Sequence, residues 1–179
     1  MFTDVQIIPP TPGEKGAAFM VQADGQIYHA YRYRMPAVSV TMVVREKQHG
    51  MVLLAKRGND PYKGWWSLPG GFVEAEEETT ELAAARELLE ETGIRVSPDQ
   101  FRLVDVRSKL DRDVRYHVID VGYYVEVDGA EAVAGDDVCE IRWANASEVE
   151  PAALAFDHGI LFKNAKCFFT NGTEPLDSK

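Results

Sequence analysis

Glu87, Glu90 and Glu91 fall within the run Arg86-Glu87-Leu88-Leu89-Glu90-Glu91-Thr92-Gly93-Ile94. On a helix, residues three and four apart are neighbours, so Glu87 and Glu91 lie on one face and Glu90 lies three from Glu87. Three carboxylates packed that closely repel one another and gain nothing from an apolar core. A hard cation resolves the conflict, because magnesium takes oxygen ligands and keeps positions for water and phosphate oxygens. Arg86 lies four before Glu90 and eight after Glu78, where its guanidinium can pair with carboxylates and orient them. The bland alternative is a solvated acidic face, the ordinary meaning of a glutamate-rich helix. The Pro69-Gly70-Gly71 loop placed just ahead of the helix, and the full ordered spacing, favour a built site.

The overall charge makes the same demand. The 179 residues carry 19 Lys and Arg against 29 Asp and Glu, a formal net charge of −10. Such a balance argues against a nucleic-acid backbone or an anionic membrane as partner, since both would repel the protein. An acidic protein that handles phosphates needs divalent cations to bring the two together. Hydrophobic residues at 45% and charged residues at 27% are those of a soluble globular chain, long enough for a sizeable core. Apolar runs such as Pro36–Val44 are far too short to span a bilayer, and Met1–Pro10 lacks the basic start and apolar centre of a secretory signal. Cys139 and Cys167 show no metal-site spacing and are too few for a disulfide framework. They read as reduced, buried thiols of a cytoplasmic protein.

The elements that must carry these residues follow from patterning. Ala17–Ala23 and Gln26–Arg34 flank Asp24-Gly25, which predicts a hairpin. Ala37–Val44 and Met51–Ala55 read as paired strands, and Gly58–Gly71, rich in Gly and Pro, as an ordered loop. Thr80–Thr92 reads as a helix with Leu82, Ala85 and Leu89 on one face and Gly93 at its end. Strands are expected at Phe101–Arg107, Tyr116–Val127 and Val138–Trp143, and a second helix from Ala153 to about Lys166. The tail Thr170–Lys179 is polar. No repeat or low-complexity tract divides the chain.

Glu78 through Ile94 resembles the Nudix box position for position: Glu, seven residues, then Arg-Glu-aliphatic-any-Glu-Glu-any-Gly-aliphatic. The chain departs from the box ahead of Glu78, where six residues instead of five separate it from Gly71. Helical spacing is rigid while loops accept insertions, so Glu78 rather than Glu77 is taken as the box glutamate. The resemblance implies an α/β fold, the family's α/β/α sandwich with a mixed β-sheet, over residues 36–179. Residues 1–35 would be an N-terminal extension with a β-hairpin, part of the same domain. It implies catalytic Glu87, Glu90 and Glu91 with Arg86 orienting them. It also implies a metal site of Glu87, Glu90, Glu91 and the Gly71 carbonyl, holding Mg2+ or, as a substitute, Mn2+. Cations there would clamp a diphosphate while an activated water attacks phosphorus. Glu140 and Asp137 are candidates for a base outside the box, against the simpler role of strand-edge charges.

Three further segments are similar to the ADP-ribose pyrophosphatase branch: Lys56-Arg57 with Pro61–Pro69, Asp111–Arg115, and Leu154–His158. Arg57, Arg112 and Arg115 can fork onto phosphate or ribose oxygens, and Tyr62, Trp65 or Trp66 can stack on a base. Trp66 reads better as core packing, and His158 as a satisfied core or surface histidine. The resemblance implies hydrolysis of a nucleoside diphosphate compound, ADP-ribose first. A nucleoside triphosphate pyrophosphatase and an ADP-ribose sensor without turnover stay open. It also implies a homodimer in which the N-terminal hairpin, with Tyr31 and Tyr33, contacts the partner.

Overall fold

The computed structural model describes residues 35–74, 77–129 and 131–169, together with the backbone of three N-terminal strands. The chain forms two compact units, Met1–Pro36 and Ala37–Lys179. In the first, β1 (Gln6–Ile8), β2 (Phe19–Ala23) and β3 (Gln26–Ala30) make an antiparallel sheet in that order. Ala23 pairs with Gln26, so the strands of the expected hairpin meet across a two-residue connection. Asp24, Gly25, Tyr31, Tyr33 and the tail Thr170–Lys179 lie outside the described residues.

The second unit runs β4 (Ala37–Glu46), β5 (Met51–Arg57), β6 (Trp66–Ser67), α1 (Thr80–Thr92), β7 (Arg102–Arg107), β8 (Val118–Val127), β9 (Val138–Asn145) and α2 (His158–Ala165). The strands form one mixed sheet of order β6-β5-β4-β8-β7, with β9 on β5. β4 and β8 pair in parallel from Ala37 opposite Val118 to Glu46 opposite Val127, while the other pairings are antiparallel.

Successive side chains on a strand point to opposite faces, and the sheet uses both. Val40, Met42 and Val44 of β4 and Leu53 of β5 pack with Ala83, Ala84 and Leu88 of α1. Val43, Val52, Leu54 and Tyr124 pack on the other face with Leu161, Phe162 and Ala165 of α2. The architecture is therefore an α/β/α sandwich.

Segment 58–71 is more ordered than a loop. β4 and β5 pair beside their turn, at Arg45 opposite Val52. Farther along, the chain from Trp66 to Val73 bonds to both: Ala55 pairs with Ser67, while Val40 donates to the Gly71 carbonyl and Met42 to the Pro69 carbonyl, each at 2.9 Å.

Two other expectations are corrected. α1 has the predicted bounds, with Thr79 capping it and Gly93, at φ 71°, closing it. Its buried stripe, however, is Ala83, Ala84, Glu87, Leu88 and Glu91, while Leu82 is exposed. The small alanines let the helix sit close on the sheet, which turns the glutamate side inward. The second helix is shorter than Ala153–Lys166, because a 3-10 turn at Pro151–Ala153 breaks off into extended Leu154 before α2 begins at His158.

Candidate functional site

Arg86 is the organising side chain. Its Nε donates to Glu78 Oε2 at 3.1 Å, and its Nη2 to Glu78 Oε1 at 2.7 Å and to the Phe72 carbonyl at 2.9 Å. Its Nη1 donates to Glu87 Oε1 at 2.9 Å and to Glu90 Oε2 at 3.0 Å. These contacts use all five guanidinium hydrogens, an arrangement that lysine cannot reproduce. The partner eight residues back is Glu78, not Glu77, so the helical register holds despite the longer loop.

Glu91 is the deepest of the three α1 glutamates, 6% exposed. The Gly70 amide donates to its Oε2 at 3.0 Å. Burial pushes its carboxyl well above the ordinary range, and Glu87 and Asp137 add to the effect, against the Gly70 amide and Arg57. Burial also raises Glu87, with Glu90 and Asp136 adding and Arg86 opposing. Asp136 and Asp137 arrive on the segment whose Val133 and Gly135 amides bond the Thr92 and Glu91 carbonyls at 2.9 and 3.0 Å, ending α1.

Two glycines are needed where the loop crosses. A Cβ at Gly70 would lie 2.2 Å from the Val40 carbonyl oxygen, and one at Gly71 would lie 2.3 Å from Glu87 Oε1. Any side chain at Gly71 would fill the space in front of that carboxylate.

Glu87, Glu90 and Glu91 each commit one oxygen, to Arg86 or Gly70, and keep the other. Among the described residues, no three acidic, His or Cys side chains close on a single point, because Glu87 and Glu90 both reach towards Arg86 Nη1. The donor set fits a hard divalent cation: carboxylate oxygens, two of them on carboxyls that burial and mutual repulsion hold back from ionising. The Gly71 carbonyl already accepts the Val40 amide and keeps one lone pair.

The predicted substrate residues separate into distinct environments. A shallow cleft beside Gly70 and Gly71 is lined by Arg57, Arg112, Arg115, Phe72 and Phe156. Arg57 Nε donates to the Pro61 carbonyl at 2.8 Å, and its guanidinium lies 5.0 Å from the Phe156 ring centre. Arg115 is held by Asp113 at 3.0 and 2.8 Å and lies 5.0 Å from the centre of the Phe72 ring. Arg112 is turned inward, bidentate to Asp157 at 3.0 and 2.6 Å. Trp65 stands 49% exposed with its edge to Tyr62, whereas Trp66 packs against the α2-side core beneath Arg142 and Lys56. Glu140 of β9 is drawn to Lys56, opposite it on β5, at 2.9 Å.

His158 is a structural residue. Its Nδ1 accepts the Leu68 amide at 3.1 Å, and burial pushes it down to about 4, so it is neutral. Both cysteines, expected to be buried, are exposed.

Sequence reasoning missed a polar network on the α2 face. Asp120 of β8 accepts Ser39 Oγ at 2.5 Å and Thr41 Oγ1 at 2.8 Å and pairs with Arg107. A charged residue between Ile119 and Val121 was the available signal.

The chain matches the NUDIX domain family over residues 34–165. It belongs to the Nudix family. The ADP-ribose pyrophosphatase of Methanocaldococcus jannaschii is 42% identical over 132 residues, 74% of each chain. The ADPR-responsive transcriptional repressor NtrR of Acinetobacter baylyi is 32% identical over 87% of this chain and 61% of its own length. Among solved structures, the Nudix domain of Shewanella oneidensis NrtR in complex with ADP ribose is 27% identical. It superposes with a TM-score of 0.70, covering 77% of this chain and 91% of that one. Nudix hydrolases generally use divalent metals. In this Nudix domain the box helix is α1, and the Gly70–Gly71 crossing lies against its Glu87 and Glu91 side chains. No helix among the described residues is long and apolar enough to cross a membrane.

Proposed function

We propose that this Nudix protein hydrolyses the diphosphate linkage of ADP-ribose to AMP and ribose 5-phosphate, with Mg2+ or Mn2+ held by Glu87, Glu90, Glu91 and the Gly71 carbonyl. The observation that carries the proposal is the Arg86 lock, which spreads Glu78, Glu87 and Glu90 beside buried Glu91 and the Gly70–Gly71 crossing. The 42% identity to an ADP-ribose pyrophosphatase supports the choice of substrate.

When bound, the cation neutralises the diphosphate and acidifies a bound water. The chain's own residues do the rest. Arg86 fixes one oxygen of Glu87 and one of Glu90, and their second oxygens would hold the cation. Arg57 and Arg115 offer guanidinium donors to phosphate or ribose oxygens along the cleft. A carboxylate of the Glu87, Glu90, Glu91 set takes the proton from the attacking water. The new phosphorus–oxygen bond forms as the bond to the bridging oxygen breaks, and that oxygen leaves on the other phosphate.

Incubating the protein with ADP-ribose and Mg2+ and separating the products tests this directly. AMP and ribose 5-phosphate in equal amounts are expected. Pyrophosphate released from nucleoside triphosphates in preference would reassign the substrate. Tight binding of ADP-ribose without turnover would favour a sensor, the role the Acinetobacter relative suggests. We also read the chain as a homodimer in which residues 17–34 contact the partner; a light-scattering mass of a monomer would remove that assignment. The two thiols, in no disulfide, suit a reducing compartment, and we place the protein in the cytoplasm.

A further inference from the structure

Arg112 belongs to segment 108–117, which joins β7 to β8 without forming a strand or helix. Leu110, Val114 and Tyr116 of that segment are exposed, while the Arg112 side chain points inward and is 4% exposed. Its Nε and Nη2 both donate to Asp157, and Nη2 also lies 3.8 Å from Asp120 Oδ2. Asp157 draws a second arginine: Arg107 Nη1 donates to its carbonyl at 3.2 Å and stands 3.6 Å from its Oδ1. Arg107 also pairs with Asp120. Two arginines and two aspartates therefore balance in charge. A buried guanidinium matched in this way has no charge to spare for a phosphate.

What the quartet holds is a neighbour on each chain segment. Phe156 precedes Asp157 and has φ 53°, which is costly for a bulky aromatic unless the surrounding structure fixes it. Both flanking residues are fixed. The Ala155 amide donates to the Trp66 carbonyl at 2.8 Å, and Asp157 is gripped at its carbonyl and at its carboxylate. On the other segment, Arg115 lies three residues past Arg112 and is oriented by Asp113. The two neighbours meet in the cleft, where the Arg115 guanidinium lies 5.9 Å from the Phe156 ring centre. The Arg112–Asp157 fork ties the segment that carries Arg115 to the one that carries Phe156.

We propose that Arg112 and Asp157 are a positioning pair: they touch no substrate and act by holding Arg115 against Phe156 in the cleft. The kinetic consequence rests on the ADP-ribose reading, whereas the tie itself is a property of the ligand-free protein.

The test uses Asp157→Asn, which keeps the shape and removes the charge, and Arg112→Lys, which keeps the charge and removes the fork. Each is made in wild type and in Arg115→Ala, with circular dichroism as the fold control. In each single variant KM for ADP-ribose is expected to rise about fivefold or more, with kcat within about twofold of wild type. In the Arg115→Ala background the same substitutions should change KM by less than about twofold, because the residue through which they act is gone. Penalties that multiply overturn the proposal, and so does a fall in kcat that is equal for ADP-ribose and a small unbranched diphosphate. Where loss of one buried partner unfolds the single variants, Arg112→Met combined with Asp157→Leu replaces the fork by apolar contact and carries the same expectation. If ADP-ribose binds without turnover, its Kd takes the place of KM. The NMR resonance of the Arg115 Nε–Hε group gives a readout independent of turnover, because the Phe72 and Phe156 rings lie close enough to shift it. It should move in every variant, although Asp113 is untouched. If wild type neither binds nor hydrolyses ADP-ribose, the substrate reading fails alone and this resonance decides. A displaced signal supports the positioning pair, and an unmoved signal in folded variants overturns it.

Discussion

The backbone amide of Gly70 donates to the buried carboxylate of Glu91 across 3.0 Å, tying the loop that crosses the sheet to the glutamate face of α1. Position and charge thus meet in one bond. Glu91→Gln keeps an oxygen for Gly70 and removes the charge. Turnover is expected to fall about a hundredfold or more with the fold intact. Steady-state rates beside circular dichroism check it, and a variant with wild-type rate and wild-type metal requirement would return Glu91 to a purely structural role.

Arg86→Lys tests the lock. Lysine keeps the charge but offers three donors from one atom, so the Glu78 fork and the Phe72 contact cannot all survive. A loss of about 1–3 kcal/mol in unfolding free energy is expected. Activity should drop about tenfold or more, because Glu87 and Glu90 lose their fixed orientation. Urea unfolding and initial rates measure the two effects separately. Equal stability and equal rate would mean that the five-donor geometry is incidental.

Much of this site was legible in the sequence because its determinants are local. Thr79, Gly93 and the spacing from Glu78 to Glu91 are set within one helix and its caps, and the observed bounds of α1 follow from them. The face of that helix was misread because Leu82 and Leu89 are larger than Ala83 and Ala84, and patterning weighs size. The sheet instead selects the small residues that permit close approach. Asp120, Arg107 and Phe156 acquire their roles only through partners 13 to 81 residues away in sequence or through a backbone twist. Spacing carries no record of such partners, although the isolated charge at Asp120 gave a hint.

The acid cluster predicts how pH and cation act together. Glu87 and Glu91 have folded pKa values raised above the ordinary 4.5. In the cation-free protein the protonated forms favour the fold, so their contribution is full below pH 4.5 and is lost as pH rises through the raised values. A bound cation reverses the preference by requiring ionised carboxylates. The rise in melting temperature on adding Mg2+ should therefore be larger at pH 8 than at pH 5, and it should shrink in Glu91→Gln. A shift independent of pH would argue against binding at these side chains.

His158 predicts a slope of the opposite sign. Its folded pKa, pushed down to about 4, lies below the ordinary 6.5. The unfolded chain therefore binds more protons between these values, and stability falls as pH drops from 6.5 towards 4. The full cost is on the order of 3 kcal/mol. His158→Asn keeps an acceptor for the Leu68 amide and cannot be protonated, so it should flatten this slope while lowering stability at pH 7 through lost packing. Urea unfolding of both proteins at several pH values isolates the difference, and parallel curves would show that His158 does not titrate in this window.

Arg115 separates ADP-ribose from smaller or more highly charged substrates. Asp113 holds its guanidinium through two contacts, and Phe72, next to Gly71, lies beneath it. That position lies beside the Gly70–Gly71 crossing, so under the proposed function the contact it offers falls along an arm of the substrate and not at the reacting phosphorus. Binding energy gained on such an arm positions the diphosphate, and truncated substrates cannot draw on it. A nucleoside triphosphate brings more negative charge into a protein of net charge −10 and has no second sugar to use the cleft. ADP-ribose should therefore exceed every nucleoside triphosphate in kcat/KM. Arg115→Ala should lower that value about tenfold for ADP-ribose and much less for a small unbranched diphosphate, since only the former spans the cleft. If triphosphates prove the better substrates, or Arg115→Ala reduces both diphosphates alike, the cleft does not read the sugar arm, although the Nudix chemistry at α1 would stand.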